Sequence, residues 1–142
     1  MTSPRRVRIR ARYPETDRMG VVHHSHYLVW FEIGRTELMR ELGMPYAALE
    51  NDGVFMPVIE AQARYLAPVR YDEEVEVETT LEELTGVCVT FAYRLFKPPA
   101  PEPLAMGFTR HAAVNAQGAA RRLPPALREK LRGALRNTEA RA

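Results

Sequence analysis

Ionisable side chains crowd one short stretch of the chain, residues 13–27, with the sequence YPETDRMGVVHHSHY. It contains Glu15 and Asp17, and it holds His23, His24 and His26, three of the four histidines in the protein. Carboxylates and imidazoles placed close together are the usual groups of acid–base and nucleophilic catalysis. Because an apolar core does not need such groups for packing, this stretch is the first candidate for a functional site.

Two other interpretations of the same stretch are open. Asp17 and the histidines could bind a metal ion, but adjacent histidines do not easily face one ion and their spacing matches no zinc pattern, so we expect no metal site. Alternatively, the stretch could be a polar helix cap in which local hydrogen bonds satisfy each histidine. The spacing alone does not separate this structural interpretation from a catalytic one.

The catalytic interpretation rests on the helix that the sequence predicts just after these histidines. A helix start exposes unpaired N–H groups and the positive end of the helix dipole, which would polarise a carbonyl and stabilise the oxyanion formed on attack. Gly20 lets a substrate approach backbone donors closely, and Asp17 could attack the carbonyl carbon or activate water to do so. A thioester suits this arrangement, because its leaving thiolate is a weak base (free thiol pKa ~8.5).

The elements around the stretch would position it between a strand and a long helix. The predicted helix runs from Ser25, its expected N-cap, to Leu42, and Gly43 follows as a stop signal. Its apolar residues recur at intervals of three and four, which is typical of a helix packed on a core. Before it, apolar residues alternate with arginines over residues 6–13, which predicts a strand with a solvated arginine face.

The rest of the chain predicts mainly strands, over residues 54–67, 75–81, 87–95 and 104–114, with a short helix over 45–50 and a terminal helix that begins at Pro124. The proline-rich segment 97–103 is expected to be a loop. Short connections make the strands antiparallel, so the sequence predicts an α+β fold with one long helix on about five strands, in a single domain spanning 1–142. If the first strand lies beside the one carrying Glu74, Glu76 and Glu78, its arginines could pair with these glutamates.

Composition narrows the classes of function. Hydrophobic residues make up 46% and charged residues 27%, an ordinary globular balance. The net charge of +2 is far from the excess of a dedicated nucleic-acid binder, but it is compatible with a polyanionic small molecule. One cysteine, Cys88, excludes an internal disulfide, and we find neither a signal peptide nor an apolar run of ~20 residues, so we expect a cytoplasmic protein without membrane association.

The segment RYPETDRMGVVHHSHYLVWFEIGRTELMRELG resembles the signature of the 4-hydroxybenzoyl-CoA thioesterase family of hot-dog proteins. That pattern is an aromatic residue, an acidic residue, Thr-Asp, a glycine, two aliphatic residues, a histidine, and a tyrosine at the start of the long helix. The matching residues here are Tyr13, Glu15, Thr16, Asp17, Gly20, Val21, Val22, His24 and Tyr27. ARYLAPVRYDEEVEVET and GFTRHAAVNAQGAARRLP are similar to later parts of the family, so the resemblance covers nearly the whole chain.

The resemblance implies an acyl-CoA thioesterase with a curved antiparallel sheet wrapped around the long helix. It implies a homo-oligomer, a dimer or a tetramer, with active sites between protomers. Asp17 matches the family's nucleophile or general base, and His24 matches the histidine expected to position substrate or water. The backbone N–H groups from Val21 to His24 would face the thioester carbonyl. His23 and His26 depart from the common pattern, which leaves open the histidine that matters most.

The predicted substrate-binding residues include five in the motif region and three beyond it. They are Gly20, Val21, Val22, His23 and Tyr27 in the first group, and Glu60, Arg64 and Lys97 in the second. The basic ones are candidates to meet the phosphates of coenzyme A, which enters as part of the substrate, so no separate cofactor is expected. Three alternatives stay open: a hydratase or dehydratase on the same fold, a non-catalytic acyl-CoA-binding protein, and an enzyme acting on acyl carrier protein thioesters.

Overall fold

The computed structural model describes the backbone of residues 5–139 and the side chains of residues 6–135. Five strands, three α-helices and one 3₁₀ turn follow one another along the described chain. The elements are β1 (Arg5–Arg10), the 3₁₀ turn (Tyr13–Glu15), α1 (Ser25–Glu41), α2 (Tyr46–Asn51), β2 (Val58–Tyr65), β3 (Glu74–Leu84), β4 (Cys88–Phe96), β5 (Pro103–Ala112) and α3 (Pro125–Glu139).

The strands form one antiparallel sheet in the order β1-β3-β4-β5-β2, so β1 and β2 are its two edges. The predicted pairing of arginines with glutamates is confirmed, since β1 lies beside β3. Glu78 is the centre of this charge ladder. It is almost fully buried and accepts from Arg6 at 3.0 Å and from Arg94 at 2.6 Å. Pairing therefore accounts for the arginine stripe, although the arginine side chains stay largely exposed, so each pair stabilises only modestly.

Helix α1 packs across one face of the sheet through its aromatic side chains. Trp30 and Phe31 are fully buried, and the Phe31 ring stacks on Tyr93 of β4 with 4.6 Å between ring centroids. Gly34 makes the close approach possible, because a Cβ there would lie 2.5 Å from Thr79 Oγ1. The sheet and its single central helix confirm the predicted α+β architecture.

Three predicted boundaries are wrong for local reasons. The first strand ends at Arg10 rather than Tyr13, because the chain turns into the 3₁₀ segment that contains Pro14. Ser25 is the first helical residue and not the N-cap, a position that His24 occupies without a capping side-chain bond. Strand β2 starts only at Val58, after Pro57, which cannot donate a ladder hydrogen bond.

Helix α3 packs against β3 and adds to the hydrophobic core. Leu127 and Leu131 are fully buried on one side of it, as the leucine spacing predicts. Within the described residues, no helix is both long enough and apolar enough to cross a membrane.

Candidate active site

The loop between β1 and α1 is a tight turn that fixes the position of Asp17. The Asp17 amide donates to Val21 O at 2.8 Å, and the Gly20 amide donates back to Asp17 O at 3.0 Å. Gly20 has a φ of +79°, a conformation that glycine adopts without strain. One carboxylate oxygen, Asp17 Oδ1, accepts from the Met19 amide at 2.8 Å. The turn therefore holds the carboxylate while leaving it partly accessible.

Glu15 attaches this loop to the long helix. Its carboxylate is buried, with 4% of the residue exposed, and accepts from the Trp30 indole Nε1 at 3.0 Å and from the Arg12 amide at 2.7 Å. Its backbone oxygen also accepts from the His23 amide at 2.8 Å. Glu15 is thus a structural carboxylate. Of the two acidic residues in this stretch, Glu15 holds the loop to the helix, and Asp17 is the one left accessible for chemistry.

A pocket of about 380 Å³ opens beside Asp17. The residues lining it are Asp17, Val21, Val22, His24, Tyr27, Tyr65, Leu66, Ala67 and Pro68. It thus brings together five of the residues predicted from the sequence. It also includes a β2 tyrosine and the short segment that follows β2, which sequence reasoning missed.

Tyr65 of β2 is one of the residues that line this pocket. Its hydroxyl donates to His24 O at 3.1 Å, and its ring meets the Tyr27 ring edge-on with 4.9 Å between centroids. Burial is the largest influence on Tyr27 and raises the pKa of its phenol. The only sequence signal for Tyr65 is an aromatic residue at the end of the strand after the helix, and the partner that makes it relevant is far away along the chain.

The backbone N–H groups at the start of α1 are not equally available. The Val22 amide donates to Val69 O at 2.7 Å and the His23 amide donates to Glu15 O, so both are occupied. Among residues 5–139, the amides of Val21 and His24 have no acceptor, and both residues line the pocket. Of the four backbone N–H groups predicted from the sequence, Val21 to His24, only the first and the last are therefore free among the described residues.

The histidines have different surroundings. His23 Nδ1 accepts from the Ser25 amide at 3.3 Å and lies 2.9 Å from Ser25 Oγ, so His23 acts as a local helix cap outside the pocket. His24 lines the pocket, and its ring lies against that of His23 with centroids 4.1 Å apart. Within the described part of the chain, no three His, Cys, Asp or Glu side chains are arranged to hold a metal ion.

Three of the predicted substrate-binding side chains lie away from this pocket within one chain. Glu60 and Arg64 pair with Arg110 and Met106 of β5. These positions alternate with Gly107, which faces Phe31 of α1, so Glu60 and Arg64 lie on the opposite face of the sheet. Lys97 is exposed after β4 and is ion-paired with Glu73. A role for these three in binding substrate stays a prediction.

Known proteins are similar to this chain in sequence and in architecture. A sequence model of the thioesterase-like superfamily matches residues 12–131. The putative acyl-CoA thioesterase YneP of Bacillus subtilis is 41% identical over 90 residues, a region that spans 63% of this chain and 65% of that protein, just under two thirds of its length.

Two solved structures extend the likeness over almost the full chain. The hypothetical protein TT1821 from Thermus thermophilus superimposes with a TM-score of 0.86 at 41% identity, covering 91% of this chain and 98% of that one. The DHNA-CoA thioesterase from Staphylococcus aureus superimposes with a TM-score of 0.89 at 30% identity, covering 95% and 93% of the two chains. These likenesses confirm the hot-dog fold, and with the family match they show that the chain belongs to the thioesterase-like superfamily.

Proposed function

We propose that the protein hydrolyses acyl-CoA thioesters, converting an acyl-CoA and water into a carboxylic acid and free CoA. One observation carries the proposal: the Asp17 carboxylate shares a pocket with two backbone N–H groups, of Val21 and His24, that have no acceptor among the described residues. A nucleophile or base in the same pocket as free backbone donors is what acyl transfer requires. The names of the Bacillus and Staphylococcus relatives support the same chemistry.

In the proposed reaction the thioester carbonyl oxygen accepts hydrogen bonds from the Val21 and His24 amides. Asp17 then adds to the carbonyl carbon, or removes a proton from a water molecule that adds to it. The oxyanion of the tetrahedral intermediate is stabilised by the same two amides and by the start of α1. When the C–S bond breaks, CoA leaves as a thiolate, and in the covalent route water then hydrolyses the acyl–Asp17 anhydride. His24 is proposed to position the substrate or the water, and the reaction needs no cofactor.

The proposal includes a dimer formed through β2. Among residues 5–139, this edge strand has no partner on its outer side, and Val58 and Ile59 are about half exposed. Apolar side chains of α1, including Val29 and Ile33, are also exposed. An uncovered apolar edge strand invites pairing with a second copy, and a two-fold axis would make that pairing antiparallel. Both sites would then lie at the interface, where Glu60 and Arg64 of β2 could reach the partner's substrate. A dimer of such dimers and a cytoplasmic location stay predictions.

A panel assay tests the activity. Purified protein is mixed with acyl-CoA esters of increasing chain length and with aromatic acyl-CoAs, and released CoA thiol is followed by a chromogenic disulfide. We expect turnover of at least one ester class. Binding of acyl-CoA by calorimetry without any thiol release would instead favour the non-catalytic binding protein. Release only from acyl carrier protein thioesters would replace CoA as the carrier.

A further inference from the structure

A second cavity, of about 690 Å³, lies at the other end of β2 from the Asp17 pocket. Its walls come from the middle of α1, from α2, from the residues just before β2 and from the turn after β5. Polar side chains within it include Glu32, Arg35, Tyr46, Glu50 and Asn115. None of the residues that line the Asp17 pocket lines this second cavity, which we name the Arg35 cavity.

Arg35 is a buried cation in the wall of this cavity, with only 6% of the residue exposed. It donates from Nε to Tyr46 OH at 3.1 Å and from Nη1 to Tyr93 OH at 3.1 Å. One carboxylate is near, Glu32, at a long 3.4 Å from Nη2 and with its own side chain 64% exposed. Burial opposes the charge, but the phenols of Tyr93 and Tyr46 outweigh it and the pKa of Arg35 is raised. The cavity wall thus holds a cation that is only weakly compensated.

Next to Arg35, hydrogen bonds link Tyr93, Thr109 and His111, and each hydroxyl in this chain donates towards His111. Burial lowers the pKa of His111 to about 4, so its ring is neutral at pH 7. Its Nδ1 lies 3.0 Å from Met56 O, which can only accept, so Nδ1 carries the proton and Nε2 accepts from Thr109 Oγ1 at 2.8 Å. Thr109 in turn accepts from the Tyr93 hydroxyl. The hydrogens of Tyr93 and Thr109 therefore point away from the cavity.

Two donors remain on the cavity side. The Tyr46 hydroxyl accepts from Arg35 Nε, and among residues 5–139 its own hydrogen has no acceptor. Burial raises the pKa of Tyr46 to about 12, so the hydrogen is kept. Among the described side chains, Arg35 Nη2 bonds to Glu32 alone and has a second N–H left over. Two donors in the wall of one cavity favour an occupant with an oxygen that accepts hydrogen bonds.

The Asp17 pocket and the Arg35 cavity lie at opposite ends of β2, so pairing of two β2 strands would bring together cavities of different protomers. Tyr65 at the end of β2 lines the Asp17 pocket, whereas Met56 and Pro57, just before β2, line the Arg35 cavity. When two β2 strands pair antiparallel about a two-fold axis, the start of one lies against the end of the other. The Arg35 cavity of one protomer then adjoins the Asp17 pocket of its partner.

We propose that the Arg35 cavity receives the far end of the acyl group whose thioester is bound at the partner's Asp17. There the Tyr46 hydroxyl and an Arg35 N–H select acyl groups that carry an oxygen at this end over apolar groups of the same size. Glu32 and Glu50 in the same cavity disfavour a carboxylate, so a hydroxyl, which both accepts and donates, fits better than an anion. This inference rests on the proposed hydrolysis and on pairing of β2.

Matched substrate pairs test the selection. The kcat/KM is measured for 4-hydroxybenzoyl-CoA against 4-methylbenzoyl-CoA, and for glutaryl-CoA against 5-methylhexanoyl-CoA, in which an isopropyl group replaces the carboxylate. Tyr46→Phe should lower the hydroxyl-to-methyl ratio by roughly tenfold, as expected for the loss of one hydrogen bond. Tyr71→Phe, an exposed tyrosine outside both cavities, should leave the ratio unchanged. An unchanged hydroxyl-to-methyl ratio in Tyr46→Phe would overturn the proposed selection. A larger effect of Tyr46→Phe on the glutaryl pair than on the benzoyl pair would show that the cavity prefers an anion to a hydroxyl. A wild type that hydrolyses no ester refutes the proposed function instead.

Mixed dimers test the contribution from the partner. Thr36→Trp, which fills the Arg35 cavity from α1, is co-expressed with Asp17→Asn under a different tag, and the heterodimer is isolated by both tags. If the cavity serves the partner's Asp17, one of the two sites is intact and the heterodimer has about half of wild-type activity. If the cavity serves its own chain, both sites are defective and the heterodimer is inactive, which would overturn the proposal. Should Thr36→Trp fail to fold, Tyr46→Phe in the same mixing experiment, read by the substrate ratio, gives the answer.

Discussion

Replacing Glu15 by glutamine should destabilise the fold although no atom is removed from the core. The carboxylate accepts from two donors, the buried Trp30 Nε1 at 3.0 Å and the partly buried Arg12 amide at 2.7 Å. A glutamine side chain offers only one acceptor oxygen, so its NH₂ group must face one of these donors. Losing a hydrogen bond to a charged acceptor and leaving an N–H unpaired costs about 3 kcal/mol, which corresponds to a Tm lower by roughly 10 °C for a chain of this size.

Urea unfolding followed by circular dichroism and by Trp30 fluorescence measures this change. Glu102→Gln, an exposed carboxylate in the loop before β5, is the matched control and should shift the free energy of unfolding by less than about 0.5 kcal/mol. A double-mutant cycle with Trp30→Phe should give a coupling energy of about 1 kcal/mol, because the two residues share one bond. A loss below ~1 kcal/mol for Glu15→Gln, or zero coupling to Trp30, would refute the role of Glu15 in attaching the loop to α1.

Three further outcomes follow from the packing, the buried histidine and the edge strand. Gly107→Ala should lower the free energy of unfolding in urea by about 2 kcal/mol, since the new Cβ would lie 2.1 Å from the Gln62 carbonyl oxygen. The control Gly133→Ala, where nothing lies within 4 Å of the new Cβ, should leave that free energy unchanged or raise it. Burial lowers the pKa of His111 from 6.5 to about 4, so only the unfolded chain takes up the proton between these values. The free energy of unfolding therefore has its full value above pH 6.5 and falls by up to about 3 kcal/mol as the pH drops towards 4. In His111→Gln the free energy of unfolding should lack this dependence on pH. Ile59→Asp should convert the proposed dimer to a monomer in sedimentation and abolish hydrolysis, because a charge on the edge blocks strand pairing; an unchanged dimer would contradict the assignment of β2 as the interface.

Local patterns in the sequence were sufficient to predict the elements. The spacing of Trp30, Phe31 and Gly34 predicts the buried side of α1, and alternation predicts β1, β3 and β4, because helix and strand periods leave distinct apolar patterns. The family resemblance then supplied the sheet wrapped around the long helix, but it did not predict the strand order β1-β3-β4-β5-β2. Boundaries were less predictable, because the start of α1 at Ser25 depends on the His23 ring and not on a typical N-cap.

The details of the site depend on partners far away in the chain. Glu15 and Asp17 are equivalent in the sequence, and only the buried Trp30 indole makes the first structural. Likewise, the Val22 amide is occupied because Val69, after β2, lies against it. Tyr65 enters the pocket because of where β2 ends. Sequence periodicity carries no information on such contacts, which arise only when the sheet is assembled.

The most direct test of the proposed site is the kcat/KM of Asp17→Asn on the best ester of the panel. Asparagine keeps the oxygen that accepts from the Met19 amide, so the turn and the fold should persist. Asp52→Asn, in the exposed turn after α2, is the matched control and should behave as wild type. We expect Asp17→Asn to lose about 10²–10⁴-fold in kcat/KM with CoA binding retained. A variant that keeps more than about a tenth of wild-type activity would contradict this expectation.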